Sequence, residues 1–489
     1  MLEYFTVQKI AEVTGGDYYG PDTGRSATVF GAVRDNREVK PGNLFVCIKG
    51  ERTDGHLYVN SAFESGAACC LTEQTIPDAA GPYVLVSSSL AAIKTLGAYY
   101  RRLFDIPVIG ITGSVGKTTT KEMIAAVLGA KYHVLKTPAN LNNELGVPLT
   151  LMSLDEHHQA AVIEMGISEF GEMSRLAEMV RPDIFVITKI GYSHTSSLGG
   201  LDGVLRAKSE ALVYMNHDGT AIFNGDDDLL WKYDPGIRKT TFGLNRRNDI
   251  RAENISANGT DSISCDIVSD AKHSTVTIPS YGSHLPLAAL PAVCVGQILG
   301  MDSSDIARGL MTYKPVDGRA VVTSTLVGPS KKITLIDDCY NANPHSMEAA
   351  LKSLSGLNGR RLAILGDMLN LGETSRHLHR AVGAFAAQCG IDYLICCGEA
   401  ARYIYEGFIN DTGFDARTGE GTSIPYNTHT GDSNDNTACV RYGKALYFES
   451  KESLVAALDG LINDGDALLI KASHSMGFNE IVDYLCKPL

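Results

Sequence analysis

No stretch of this 489-residue chain approaches the roughly 18 consecutive apolar residues that a membrane-spanning helix needs. A basic excess is missing too. Lys and Arg number 43 against 56 Asp and Glu, a formal net charge of −13, so the chain has no overall footprint for nucleic acid. Any anionic substrate must therefore be held by local positive groups. The 11 cysteines show no C-x-x-C spacing, and Cys396 and Cys397 sit in an apolar run, so they read as reduced core residues. The N-terminus, Met1-Leu-Glu-Tyr-Phe-Thr-Val-Gln-Lys-Ile, lacks both the basic start and the apolar stretch of a signal peptide. A cytoplasmic protein with no membrane span and no nucleic-acid partner is expected. No repeat of fixed period occurs.

What is present has the balance of an ordinary globular protein, 44% hydrophobic and 20% charged, in a length that suits about three domains. Residues 1–103 alternate short apolar runs (Asn43-Leu-Phe-Val-Cys-Ile, Ala67-Ala-Cys-Cys-Leu, Tyr83-Val-Leu-Val) with turns and a helical stretch from Leu90 to Leu103, as in a small α/β unit. Residues 104–318 open on Ile106-Pro-Val-Ile-Gly-Ile, pass a glycine loop into a helix through Ala130, and repeat strand then helix through Val162, Ile184 to Ile187 and Ala221 to Phe223. That alternation predicts a mainly parallel sheet. Residues 319–489 give a third series, with strands near Ile333 to Ile336, Leu362 to Leu365, Tyr393 to Cys397 and Ala467 to Ile470, in the manner of a Rossmann-like domain. The polar segment 410–438 reads as a surface insertion.

The run Gly113-Ser114-Val115-Gly116-Lys117-Thr118-Thr119 falls between an apolar strand and a helix. Small residues there let backbone N–H groups wrap phosphates, Lys117 answers their charge, and Thr118 can face magnesium. A strict P-loop has glycine where this chain has Ile111, so the match is to the shorter G-x-x-G-K-T form. Glu164 ends the apolar run Ala160-Ala-Val-Ile, and His194 follows the strand Ile184 to Ile187. Both can reach the strand ends where ligands collect in such sheets; each alone reads more readily as a structural group, and the phosphate loop beside them turns that balance toward metal ligands. On a helix, Lys208 falls in the stripe formed by Leu201, Val204, Leu205 and Leu212. Such a lysine must pair, snorkel, or lose its proton and become a nucleophilic amine able to add carbon dioxide.

These pieces, with Asp337-Asp-Cys-Tyr-Asn-Ala-Asn-Pro-His-Ser-Met as the most specific run, resemble the Mur ligases. The similarity extends over Asp35-Asn-Arg, Pro41-Gly-Asn-Leu-Phe-Val, Asp54-Gly-His, Asn140-Leu-Asn-Asn-Glu-Leu-Gly-Val-Pro and Leu365-Gly-Asp-Met. The resemblance implies a central P-loop ATPase domain flanked by an N-terminal UDP-precursor-binding domain and a C-terminal domain that binds an incoming dipeptide. It implies an ATP- and Mg2+-dependent amide ligase, acting through an acyl phosphate on UDP-N-acetylmuramoyl-tripeptide and D-alanyl-D-alanine, as a monomer.

Carried over by position, the resemblance puts residues 113 to 119 on the ATP phosphates and Thr118, Glu164, His194 and Lys208 at magnesium. Lys208 would be carbamylated. Arg319 and Asp338 fall around the nucleotide and the domain junction. Asn36, Arg37, Asp54, Gly55 and His56 fall at the UDP-sugar, and Tyr340, Asn341 and Asn343 at substrate. A sister ligase adding one amino acid is an alternative for which the Asp337 to Met347 run is the wrong signature.

Departures exist. The family's Gly-x-His-Asn-x-x-Asn near the base reads Gly282-Ser-His-Leu-Pro-Leu-Ala, with Leu285 and Ala288 in place of both asparagines. A nucleotide-binding relative without catalysis is the alternative this suggests. Thr188-Lys-Ile-Gly-Tyr-Ser-His-Thr and Lys471-Ala-Ser-His-Ser-Met also differ from the usual Thr-Asn-Ile-Gly-x-Ala-His-Leu and Lys-Gly-Ser-Arg-x-Met.

Overall fold

Three large sheets carry the chain in a computed structural model that describes residues 5–50, 53–269, 272–328, 330–412 and 443–486, with the short strands Phe414–Asp415 and Glu420–Gly421. The first has five strands in the order Asp17–Tyr19, Tyr83–Leu85, Cys69–Thr72, Leu44–Val46, Ala32–Val33. Its helix Ser89–Arg101 starts at Ser88, whose hydroxyl accepts the Ala91 N–H at 3.3 Å, and buries Ile93, Leu96 and Tyr100. Gly97 in this helix lets it lie against Pro148 of the next region, where a Cβ would come within 2.6 Å. Ile93 and Leu96 consequently share one apolar core with Val147, Leu149 and Leu176.

The central sheet has nine strands in the order Lys272–Ile278, Ser262–Ser269, Ile250–Asn258, Arg238–Gly243, Thr220–Asn224, Ile184–Ile187, Val108–Thr112, Ala160–Glu164, Val134–Lys136. Neighbours from Ile250–Asn258 to Val134–Lys136 pair in parallel, as the alternation of strand and helix predicts. The first three strands form an antiparallel meander that the sequence reading does not contain. The reason is their pattern: Ile263, Cys265 and Ile267 turn inward between polar neighbours, so no continuous apolar run marks them. That inward row packs in one core with the helix Leu285–Ile298, which is buried on nearly all sides, and with Ile124 and Val127 of the helix Lys117–Gly129.

The third sheet runs Val321–Val327, Lys331–Asp337, Ala467–Lys471, Arg361–Gly366, Tyr393–Cys397, Lys444–Phe448, parallel except for its first strand. Within the segment expected to be an insertion, Asn410 to Thr412 instead complete the helix Ala401–Thr412, and Phe414–Asp415 pairs with Glu420–Gly421. The rest of that segment, like Met1 to Tyr4, lies outside the described residues. Among the described residues no helix is long and apolar enough to cross a membrane.

The helices Ser375–Gln388 and Ala401–Thr412 meet backbone to backbone through paired glycines. A Cβ on Gly383 would lie 1.9 Å from the Ile404 carbonyl oxygen, and one on Gly407 2.1 Å from that of Arg380. Overfilling such a seam forces the helices apart. Gly383→Ala should cost about 1–3 kcal/mol of stability, read from the midpoint of a urea unfolding curve, while an exposed helix position such as Arg376→Ala shifts it by less than about 0.5 kcal/mol.

Candidate active site

The strand Val108–Thr112 is buried throughout and ends in a turn that needs glycine twice. Gly113 has φ 150° and Gly116 φ 83°, and a Cβ on Gly113 would come within 1.9 Å of Thr188 Oγ1. Gly116 begins the helix Lys117–Gly129 with no side-chain acceptor for the first N–H groups, which leaves a ready anion site. The neighbouring strand end fixes the loop from outside. Thr188 Oγ1 donates to the Val115 carbonyl at 2.6 Å, and Ser114 Oγ donates to the Gly191 carbonyl and accepts its N–H, both at 3.0 Å. Lys117 Nζ is folded onto the Gly113 carbonyl at 2.8 Å.

Glu164 ends its strand 1% exposed and directly beside this loop. Its Oε2 accepts from Thr118 Oγ1 at 2.9 Å, and its Oε1 from Asn142 Nδ2 at 2.8 Å. Lys121, 1% exposed, stands 3.8 Å from the same carboxylate while donating to the Thr137 carbonyl at 2.8 Å. Neither Asn142 nor Lys121 was singled out from sequence. Asn142 lies within the Asn140-Leu-Asn-Asn run, which gave a signal without a role.

His194 has φ 55°, left-handed for a non-glycine residue, and immediately precedes the short helix Thr195–Leu198. Burial lowers its pKa, and Lys208 and Lys117 lower it further, so the imidazole is neutral at pH 7. Lys208 sits on the helix Leu201–Ser209 and is 2% exposed, so it does not snorkel to water. No hydrogen bond or ion pair among the described residues involves it, and burial, then Lys117, holds its pKa well below the ordinary value. Lys117 is lowered by burial and by Arg319, against the pull of Glu164. Thr118 and Glu164 are therefore in contact, while Lys117, His194 and Lys208 act on one another through charge. Leu212, expected on the same helical stripe as Lys208, falls in the following turn Glu210–Tyr214.

Among the described residues no three His, Cys, Asp or Glu side chains stand close enough to hold a metal by themselves. Magnesium keeps several waters and binds through one or two carboxylates plus substrate phosphates. Glu164 and Thr118 beside an anion-binding loop are such a donor set.

The C-terminal domain brings its own cluster to this edge. The Arg319 guanidinium lies 4.0 Å from the Tyr340 ring, and its buried Nε has no hydrogen-bond partner among the described residues. Asp338 accepts from Lys471 Nζ at 2.6 Å and from the Ala320 N–H at 3.1 Å; burial raises its pKa and Lys471 opposes that. Lys471 also donates to the Asn341 carbonyl at 2.8 Å. It ends an apolar strand as Glu164 does, a signal to which the sequence alone assigned no role. Asn343 caps the helix Pro344–Ser355, and its Nδ2 reaches Ser114 O of the phosphate loop at 3.4 Å. Leu285 and Ala288 are buried in the first turn of their helix and offer no polar atom.

The N-terminal candidates form a separate group. Asn36 Nδ2 donates to Ser61 Oγ at 3.1 Å, and Arg37 pairs with Asp35 at 2.6 Å with its side chain mostly exposed. His56 has both ring nitrogens engaged, Nδ1 with Asp54 at 2.6 Å and Nε2 accepting the Glu73 N–H at 2.9 Å. Gly55 lies so close to the strand that a Cβ would meet Ile48 N at 2.8 Å.

A glycine loop at the carboxyl ends of parallel strands, a helix start behind it and a buried carboxylate beside its threonine define a nucleotide-binding α/β protein with two added domains. Three family models match: Mur ligase family, catalytic domain, over 33–95; Mur ligase middle domain over 111–296; and Mur ligase, glutamate ligase domain, over 324–474. A UDP-N-acetylmuramoyl-tripeptide--D-alanyl-D-alanine ligase of Bacillus subtilis is 33% identical over 99% of each chain, and that of Escherichia coli is 33% identical over 82% of this chain and 87% of its own. MurF from Acinetobacter baumannii superposes with a TM-score of 0.82 at 29% identity, covering 99% of this chain and 100% of that one. MurF ligase from Thermotoga maritima, solved in complex with ADP, gives 0.75 at 25% identity over 95% and 98%. The chain belongs to the Mur ligase family. Its three-domain α/β fold is the one these structures share.

Because a methyl group on Gly113 collides with Thr188, Gly113→Ala should weaken ATP binding by at least about tenfold, or roughly 1.4 kcal/mol. Isothermal titration calorimetry of the full chain reads this directly.

Proposed function

We propose that this chain is an ADP-forming ligase that joins D-alanyl-D-alanine to UDP-N-acetylmuramoyl-tripeptide in peptidoglycan precursor synthesis. The observation that carries the reading is the gathering of the half-buried cations Lys117 and Arg319 and the buried Lys208 about a loop built for phosphate, with Glu164 as the carboxylate that Lys117 feels. Such a site has positive charge to spare for a polyphosphate and a second anion. The names of the full-length relatives supply the substrates.

A carboxylate resists attack by an amine because it is anionic and its oxygen leaves poorly. Transfer of the terminal phosphoryl of ATP to that carboxylate gives an acyl phosphate and ADP, and phosphate then leaves easily. In this reading the backbone of residues 113 to 119 and Lys117 hold the ATP phosphates in line with the acceptor. Thr118, Glu164, the neutral His194 and Lys208 would hold magnesium, which supplies screening of the charge that builds on the transferring group. Asn36, Arg37, Asp54, Gly55 and His56 serve the UDP end. Arg319 and Asp338 sit at the nucleotide edge of the C-terminal domain, and Tyr340, Asn341 and Asn343 face substrate. The dipeptide amine attacks the acyl carbon, the tetrahedral adduct expels phosphate, and the amine proton leaves to solvent. Closure of the domains keeps water from the acyl phosphate. Soluble nucleotide substrates fit a monomeric cytoplasmic enzyme.

Lys208 is proposed to carry a carbamate. A buried neutral amine can add to carbon dioxide, lose one proton to solvent, and become an anion that answers Lys117 and the metal. Its lack of a partner among the described residues supports this. A second reading, a nucleotide-binding relative without ligase activity, rests on Leu285 and Ala288.

Purified protein should release phosphate only with ATP, magnesium and both substrates together, with the joined product seen by mass spectrometry. ATP binding without product would favour the second reading. Lys117→Ala should lower kcat by at least about a hundredfold with an unchanged thermal melt, since each such charge aimed at the transition state is worth that much. Activity lost on removing dissolved carbon dioxide should return with bicarbonate, and Lys208→Ala should remove both the activity and the response. Full activity of Lys208→Ala would refute the carbamate.

A further inference from the structure

His379 lies outside the site described above, is 0% exposed, and spends both ring nitrogens on the chain. Its Nε2 accepts the Met368 N–H at 2.9 Å, and Nδ1 is 2.7 Å from the Ser375 carbonyl oxygen, a pairing that requires the Nδ1–H tautomer. The residue therefore ties the helix Ser375–Gln388 to the loop that leaves the strand Arg361–Gly366. Other bonds hold the same loop. Asp367 Oδ1 accepts the Ala401 N–H at 2.7 Å, and Leu369 N–H donates to Ser473 Oγ at 3.0 Å. Met368 and Leu371 are buried beneath it, and Asn370 takes φ 62° to turn it outward. A loop so firmly held is built to present its tip in one place.

The tip is Gly372, at φ 57°, and what it meets belongs to the central domain. A Cβ there would stand 3.1 Å from Ser196 Cβ. Ser196 lies in the short helix Thr195–Leu198, which begins directly after His194. The local support of His194 is thin. Its left-handed backbone has no side-chain cap, and Thr195 Oγ1 is buried without a hydrogen-bond partner among the described residues. Ser197 Oγ at 3.0 Å and the Leu198 N–H at 3.1 Å donate to the His194 carbonyl, so its own element holds the backbone oxygen, while no hydrogen bond among the described residues holds the ring.

We infer that His379 and the loop ending at Gly372 form a latch through which docking of the C-terminal domain fixes His194 in its working position. His379, Gly372 and Ser196 are positioning residues and touch no substrate. The inference rests on the ligase reading and adds to it a link between docking of the C-terminal domain and the placement of the imidazole proposed for the metal. Burial keeps His379 neutral, which preserves the acceptor for Met368.

The test is a magnesium titration of the full-length enzyme, followed by phosphate release with both substrates saturating and, without turnover, by calorimetric binding of Mg2+ to the ADP complex. Gly372→Ala, which presses a methyl on Ser196, should raise the half-saturating magnesium concentration at least about fivefold, a typical size for coupling between sites. Ser196→Gly alone should stay near the parent, and the double variant should return to within about twofold of it. His379→Phe should act as Gly372→Ala does without raising KM for the UDP-linked substrate, and His379→Gln, which can accept the Met368 bond, should recover. Where His379→Phe fails to fold, the Gly372 and Ser196 pair decides. Unchanged magnesium dependence of Gly372→Ala, or a double variant as impaired as Gly372→Ala, would overturn the latch while the parent's activity leaves the ligase reading intact. A parent that releases no phosphate would overturn both.

Discussion

The half-buried ammonium of Lys117 lies near enough to the buried Lys208 to depress it, and the chain supplies Lys117 with Glu164 and Lys208 with no bonded partner among the described residues. Burying like charges is costly in a folded protein unless something compensates them. Here the rest of the neighbourhood adds to the imbalance. Arg319 acts on Lys117 from the C-terminal domain, and Lys208 and Lys117 both act on His194. In a chain of net charge −13, this concentration of positive charge at one sheet edge is a local construction. It is stable as a resting state because each group has an exit: Lys117 folds onto a carbonyl, His194 stays neutral, and Lys208 can shed its proton.

That charge would be of no use if the backbone around it could relax. Gly113 and Gly116 hold dihedrals that side chains disfavour, and Thr188 and Ser114 lock the turn from the neighbouring strand end. His194 holds a left-handed backbone without glycine's freedom. Such positions persist when the surroundings over-determine them, and they concentrate where geometry must be set before a ligand arrives. The parallel strands Val108–Thr112, Ala160–Glu164 and Ile184–Ile187 deliver loop, carboxylate and histidine to one edge because parallel pairing puts every carboxyl end on the same side.

Much of this was legible in the sequence for the same reason that it is rigid. Strands buried on both faces are continuous apolar runs, so Ile184 to Ile187 and Tyr393 to Cys397 were read to the residue, and Glu164 stood out as the charge that ends such a run. Lys208 stood out because it broke an apolar stripe. The antiparallel meander escaped because one side of it is wet and its apolar residues alternate. Asn142 and Lys121 escaped for a different cause. Their importance is tertiary: nothing in the spacing from Lys121 to Glu164 says that a helix and a strand end will bring them within 3.8 Å. His379 likewise looks like any histidine on an amphipathic helix until the loop that it holds is seen.

The contacts that join the C-terminal domain to the phosphate edge differ in kind from those inside each domain. They are small and mostly neutral: Asn343 to Ser114 at 3.4 Å, Ser283 N–H to Ser353 Oγ at 3.0 Å, the edge of His345 against Gly191, and Gly372 against Ser196. The first domain, by contrast, shares a continuous apolar core with the central one through Ile93, Leu96, Val147 and Leu149. An interface of single polar bonds can part and re-form, whereas a shared core cannot without unfolding. The chain therefore has one junction built as a shared core and one built from single contacts, and the second lies where Arg319, Asn343 and Gly372 approach the loop and the helix after His194. A ligase must admit two substrates, exclude water while an acyl phosphate exists, and then release a large product, and that demands a junction of the second kind at the reacting edge.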